Sequence, residues 1–439
     1  MGLGPADHQP ATEPAVADGR PVRLVVTNDL ERGRLSVLFR GLLALPFLIW
    51  LAIWAVGAFV VAIFNWAIVL VLGRPNRDLH GFLARFVRYA THVYGFLNLA
   101  AEPFPGIGGR PGYRVDLEID PPARQNRWTV AFRLLLAVPA LLLGSAIVGQ
   151  TASAHDLLNA ERSNTGLGLS LLAVAAFLAW FASVALGRIP RGLRDLVAYA
   201  LSYGAQLWAY LLVLTDRYPS GDPLAAFEPL PTRTDPVRME NGDDLRRSRL
   251  TVFFRLPLAV PHLVWLSLWG VLALLAAIAS WFATLATGTS PESLHRFLAA
   301  YLRYQLHVYA FLNLVGNPFP GFTGAEGAYP VELRVARRAR QNRWIVLFRM
   351  PLALPAALLA GAYGSLLFVV ALLGWFASLF TGRMPLGLRN AGALALRYTA
   401  QLYGYLFLVT DTYPYSGPCF ETAAAAAIPE APASPAPPG

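Results

Sequence analysis

One pattern, repeated four times, constrains this chain more than any other feature. Arg34-Leu-Ser-Val-Leu-Phe-Arg40 returns as Arg127 to Arg133, Arg249 to Arg255 and Arg343 to Arg349. A proline follows the second arginine by six residues each time: Pro46, Pro139, Pro261 and Pro355. A tryptophan follows that proline by 20 residues in three copies (Trp66, Trp281, Trp375), and Trp180 follows by 41 in the second. Seven residues past each tryptophan comes a glycine: Gly73, Gly187, Gly288 and Gly382. A fixed period of this kind makes each copy one structural unit that stacks on its neighbours. The copies alternate. The first and third share His-Val-Tyr-x-Phe-Leu-Asn-Leu at His92 and His307, while the second and fourth share Arg-Gln-Asn-Arg-Trp and a Thr-Asp-x-Tyr-Pro ending at Asp216 and Asp411. The order is A–B–A′–B′.

Composition decides where such a repeat can live. Hydrophobic residues make up 56% and charged residues 14% of the 439 residues, against roughly 25% charged in an ordinary soluble domain. All 36 basic residues are arginine, for a net charge of +10. The single cysteine, Cys419, excludes an intramolecular disulfide and a cysteine-based metal cluster. No phosphate-binding loop, nucleophile elbow or His-Glu-x-x-His motif is present, so the chain reads as non-enzymatic, with no cofactor and no metal. Arginines at the ends of apolar runs suit an anionic phospholipid bilayer better than nucleic acid.

The runs Arg-x5-Arg-x5-Pro, Trp-Phe-Ala-x4-Gly-Arg-x-Pro and Leu-x2-Thr-Asp-x-Tyr-Pro resemble the bacterial domain-of-unknown-function family 4389. The resemblance is nearest at Trp180 to Pro219 and Trp375 to Pro414, with Tyr329-Pro-Val matching the family's opening strand. Units one and three depart from it, with Glu102-Pro-Phe-Pro and Asn317-Pro-Phe-Pro in place of the aspartate ending. It implies a bacterial integral membrane protein and supplies no activity.

The expected architecture is an all-α multi-pass membrane protein with short cytoplasmic β-strands. Its parts are a disordered arm (1–21), unit A (22–112), unit B (113–222), a linker (223–236), unit A′ (237–328), unit B′ (329–418) and a disordered Ala/Pro tail (419–439). The charge-free runs, such as Gly41 to Leu72, exceed what one straight span of about 30 Å needs. In unit B the run is split by the polar stretch Gln150 to Thr165. Each run is therefore expected to be a transmembrane helical hairpin, with that stretch at a tip and Gly361 to Ser365 forming a tight tip in B′. Arginines flank both ends of every run, which the positive-inside rule places in the cytoplasm. Both termini are then cytoplasmic, in the bacterial inner membrane. An amphipathic helix follows each run, as at Leu79 to Ala101 and Leu294 to Val315. The segments Val22–Val26, Tyr113–Ile119 and Val331–Val335 alternate like strands.

Position-matched polar residues on the amphipathic helices are the candidates for binding a lipid headgroup or anion: Arg88, His92, Arg303, His307 and Arg397. Arg and His four apart share a helix face. The expected function is a membrane scaffold or anionic-lipid-interacting protein. The alternative is a transporter or channel built from duplicated halves.

Overall fold

A computed structural model describes residues 21–27, 29–149 and 170–421. The expected N-terminal arm, the stretch Gln150 to Thr165 and the tail beyond Glu421 lie outside the described residues.

Each unit opens with one short helix: Arg34–Leu38, Arg127–Ala131, Arg249–Phe253 or Arg343–Leu347. A phenylalanine then turns the chain. Phe39, Phe132, Phe254 and Phe348 all sit at φ between −89° and −97° and ψ between 10° and 17°, outside the helical well. The apolar run follows as one unbroken helix of 33 residues in three units: Arg40–Leu72, Arg255–Thr287 and Arg349–Thr381. This corrects the expected hairpin. Gly361 and Gly364, read as a tip, lie inside the third of these helices. A glycine there costs about 1 kcal/mol of helix propensity, less than a turn would cost by leaving its amides without partners in an apolar setting. Each long helix ends at a left-handed glycine, Gly73, Gly288 or Gly382, with φ between 72° and 82°.

In unit B the long helix is in pieces, Arg133–Leu136, Val138–Ile147 and Leu171–Leu186. Ser170 Oγ donates to the carbonyl of Val148 at 3.3 Å, and both longer pieces pack along Arg349–Thr381. The chain therefore resumes at Ser170 beside Val148, where the first piece ends, and both pieces follow the same neighbouring helix.

A second helix doubles back along each long one: Arg77–Leu97, Arg191–Leu211, Glu292–Leu312 and Leu386–Leu406. In unit A, Trp54 meets Phe82, Phe86 and Tyr89, while Phe47 meets Phe96 farther along. The order reverses, so the pair is antiparallel. Small or slender side chains make the close approach possible: Ala44, Leu51, Ala58 and Asn65, each seven residues from the next, form the buried stripe of the first long helix, and Ala259, Leu266, Ala273 and Ser280 repeat it.

Units within a half pair head to tail. The indole of Trp66 donates to Val130 O at 3.0 Å and that of Trp180 to Val37 O at 3.1 Å. Trp281 and Trp375 do the same to Val346 and Val252. The start of each long helix thus lies beside the end of its partner's, which two rods of equal length satisfy only when they run in opposite directions.

The strands form the third layer. β1 (Val22–Val26) pairs antiparallel with β2 (Val115–Ile119), Val22 opposite Ile119, and parallel with β3 (Phe227–Glu228). β4 (Thr232–Arg233) pairs with β7 (Phe420–Glu421), and β5 (Val237–Asn241) with β6 (Val331–Val335). β2 lies on the return helix of unit A and β1 on that of unit B, so the units exchange strands. The linker is held in these sheets. The start of the tail is too, since Cys419 is buried and Phe420 is in β7. The halves touch through units B and B′, where the Tyr415 hydroxyl donates to Asp195 and Asn390 donates to Asp222 at 3.0 Å. The resulting order is long helices, return helices, strands.

Candidate lipid-facing surface and arginine anchors

Four of the five candidate residues, Arg88, His92, Arg303 and His307, lie between a return helix and a strand. Arg88 donates through Nε to Leu117 O at 2.7 Å and stands 3.5 Å from Asp116. His92 Nε2 is 3.0 Å from the same carboxylate and is 1% exposed. Arg303 repeats this, with Nε 2.7 Å from Glu332 Oε1 and 3.3 Å from Leu333 O, and His307 lies 3.8 Å from Glu332. Arg397 donates to the carbonyls of Tyr415 and Gly417 and to Cys419 Sγ. In each case the partners are the chain's own carboxylates, carbonyls or thiol. Arg88 and His92 are brought together as the spacing implied, and so are Arg303 and His307. Arg397 belongs to a separate knot at the seam between halves. Their visible role is to fasten strands to helices.

Burial sets the protonation of the third-unit pair. Burial, with Arg303 beside it, pushes the His307 imidazole down to about 4, and burial pushes the Glu332 carboxyl up. Near neutral pH the contact is therefore not an ion pair. An unfolded histidine titrates near 6.5, so between these values the unfolded chain binds the proton and the folded one does not. The histidine's contribution is complete above about pH 6.5 and is lost as pH falls toward 4, by at most roughly 3 kcal/mol. The His307→Gln variant should lose less stability than the parent between pH 6.5 and 4.5 in thermal melts. Glu332 stays in both proteins, so the difference isolates the histidine. Parallel acid profiles would contradict this.

The second arginine of each Arg-x5-Arg forms an anchor that sequence spacing did not reveal. Arg40, Arg133, Arg255 and Arg349 are each 2% exposed. Each guanidinium stacks over an aromatic ring near the end of its own unit's return helix: Phe96, Tyr210, Phe311 and Tyr405, at 4.4 to 4.5 Å. Each also donates to carbonyls in the last turn of that helix or just beyond it, as Arg40 does to Ala101 and Arg133 to Tyr210 and Thr215. The helix ends expose these carbonyls because Leu99, Val213, Leu314 and Leu408 adopt φ of 60° to 66°. Leucine and valine give no sequence signal for that conformation. In units A and A′ Arg32 and Arg247 cover the neighbouring carbonyls of Leu99 and Leu314; in B and B′ Gln125 and Gln341 cover those of Val213 and Leu408. Asp216 accepts from Asn126 N, Thr129 and Arg133, and so ties the end of unit B to its opening short helix.

The four anchors, the four indole bonds and the four left-handed helix ends are one device in four copies. Residues 34–106, 165–221, 249–323 and 343–416 each match a single family, described as a domain of unknown function, DUF4389. The chain belongs to the DUF4389 family. No curated protein and no solved structure matches it. The first, third and fourth matched segments each contain the Arg-x5-Arg, the long helix and the return helix, while the second begins at residue 165 and takes in only the last piece of its long helix and the return helix.

Outside these anchors, the DUF4389 units present the apolar sides of their long helices. Ile49, Ile53, Val56, Phe59 and Ile63 are 52% to 69% exposed on the first, and Leu268, Val271 and Leu275 are 58% to 60% exposed on the third unit's. The three unbroken long helices are apolar and long enough to cross a membrane. Exposed arginines stand at both ends: Arg34 and Arg188 at one end of the first half, Arg74, Arg77, Arg124 and Arg127 at the other.

Proposed function

We propose that this protein is a non-enzymatic membrane scaffold that gathers anionic lipid around a layer of apolar helices in the bacterial cytoplasmic membrane. The observation that carries the reading is the exposed apolar side of the long helices, bordered by arginines with free access to solvent. A contiguous apolar surface of this size calls for lipid or a partner, and the arginine border fits negatively charged headgroups. Headgroup binding belongs to this border, since the five candidates on the return helices are engaged within the chain. The sheet layer, the border and both termini face the cytoplasm in this reading, following the usual bias of arginine.

The antiparallel pairing of units favours a second reading, a transporter, because inverted repeats build alternating-access sites. The polar side chains on the return helices argue for the scaffold, since their partners are the chain's own strands and carbonyls. Solute flux in vesicles discriminates between the two.

The lipid reading is tested by co-purification and mass spectrometry. Replacing Arg34, Arg74, Arg127 and Arg188 together with Gln should lower the ratio of anionic to zwitterionic lipid several-fold, since each arginine near a charged surface contributes about 1 kcal/mol. The Arg303→Gln variant should change stability and leave that ratio alone. An unchanged ratio in the fourfold variant would sink the proposal.

A further inference from the structure

The position of the strands along the long helices bears on how the layer meets lipid. Trp54 is the middle of the first 33-residue helix, and its ring lies 5.4 Å from that of Tyr89. The neighbouring Arg88 donates to Leu117 in β2. The pair Arg23–Glu118, at 3.3 Å with side chains 36% and 57% exposed, therefore sits beside the midpoint of that helix. The third unit repeats the arrangement. Trp269 meets Tyr304 at 5.3 Å, Arg303 donates to Leu333, and Arg334–Glu240 is exposed beside the midpoint at 41% and 50%. If the long helices crossed a bilayer upright, these charges and the open edges of the sheets would stand at its centre. Lipid does not tolerate exposed strand edges there, and charges there are costly.

The arginine border gives a second, independent argument. Because the long helices of a half are antiparallel, each end of the pair carries arginines from both units: Arg34 with Arg188, and Arg74 with Arg127. An upright pair would place equal positive charge on both faces of the membrane, against the observed bias of natural membrane proteins. If the rods lie down, every one of these arginines comes to a single plane.

We infer that the long helices lie in the plane of the membrane, sunk in one leaflet, with the return helices above them and the strands in water. The helices of roughly 50 Å then need no match to bilayer thickness. Their exposed apolar side enters the acyl region by about 5–10 Å, as in-plane helices do. The charged outer faces of β1, β2, β5 and β6 remain hydrated, and the arginines at both ends meet headgroups. This rests on the membrane reading above but not on its preference for anionic lipid.

Two measurements on the full chain test it. Single cysteines at Glu31, Glu118 and Arg124 report the start, middle and end of the first long helix; the parent, with Cys419 as its only thiol, is the blank. An impermeant thiol reagent should label all three from the same side, in inverted vesicles and not in spheroplasts. Labelling of Glu31→Cys and Arg124→Cys from opposite sides would overturn the inference. Nitroxides at Leu45, Phe59 and Val71, all on the exposed side, should show equal depth by oxygen and nickel relaxation in vesicles of 30% phosphatidylglycerol. A nitroxide at Phe59 that is far deeper than those at both ends is the upright outcome and would equally overturn it. Repeating the depth series in purely zwitterionic vesicles separates the two proposals. Equal depths there, with no anionic lipid retained on purification, would remove the lipid preference and leave the in-plane arrangement standing.

Discussion

The Arg133→Met variant should lose about 3–5 kcal/mol of stability, the usual cost of removing one partner from a buried charged network. Arg133 donates to Tyr210 O at 2.7 Å, Thr215 O at 2.9 Å and Gln125 Oε1 at 2.9 Å, and pairs with Asp216 at 3.1 Å. Methionine retains much of the volume over the Tyr210 ring but donates nothing. Thr215 O and Gln125 Oε1 then lose the buried charge that holds them and Tyr210 O keeps only its helix-end amides, while Asp216, one-third exposed, turns to water. Trp66→Phe makes the comparison informative. It removes one indole bond to Val130 and should cost about 1 kcal/mol. Thermal or denaturant unfolding in a fixed detergent measures both. If the arginine variant lost no more than the tryptophan variant, the anchor would be an ordinary surface contact and the reading of the four copies would fail. A loss of this size is a large share of the roughly 5–15 kcal/mol that holds a domain folded.

The same anchor shows what was legible in the sequence and what was not. The spacing of Arg40, Pro46, Trp66 and Gly73 marked one unit four times, and the structure uses each residue at each copy: anchor, early helix proline, cross-unit donor, left-handed cap. The short alternating segments at Val22, Val115 and Val331 are strands. What could not be read is direction. A charge-free run of 32 residues is equally consistent with a folded hairpin and a single rod, because both bury the same apolar composition. The inference of a hairpin rested on arginines at both ends and on the polar stretch after Gln150. Antiparallel partners account for the first, and a helix that resumes at Ser170 beside Val148 accounts for the second. Nor could the sequence distinguish a polar stripe that faces headgroups from one that faces strands. Arg88 and His92 do share a helix side, as their spacing required. Their partner, Asp116, lies 24 residues beyond His92 on a strand, and no helical periodicity points to it.

Gly324→Ala should be among the most damaging single-methyl changes at the described residues, destabilising the chain by roughly 2–4 kcal/mol through backbone strain and displaced packing. Gly324 has φ +59°, and an added Cβ would lie 2.4 Å from Ala300 O and 2.9 Å from the backbone nitrogen of Tyr304. Both neighbours belong to the return helix, so neither can rotate away as a flexible side chain could. The loop would have to lift off the helix. That movement would also break the bond from Arg303 Nη1 to Gly324 O and loosen the arginine that ties Leu333 to the helix. Gly327→Ala is the matched control. Its φ is +74°, but nothing lies within 4 Å of an added Cβ, so only the conformational cost of about 1 kcal/mol applies. The excess of the first over the second measures the close approach alone. Gly109 repeats Gly324 in the first unit, with φ +61° and an added Cβ 2.4 Å from Arg85 O, so Gly109→Ala should match it to within about 1 kcal/mol, since equivalent packing gives equivalent cost. Equal losses for Gly324→Ala and Gly327→Ala would mean that the loop is not seated on the return helix. The strand layer would then be held far more loosely than its bonds to Arg88 and Arg303 imply.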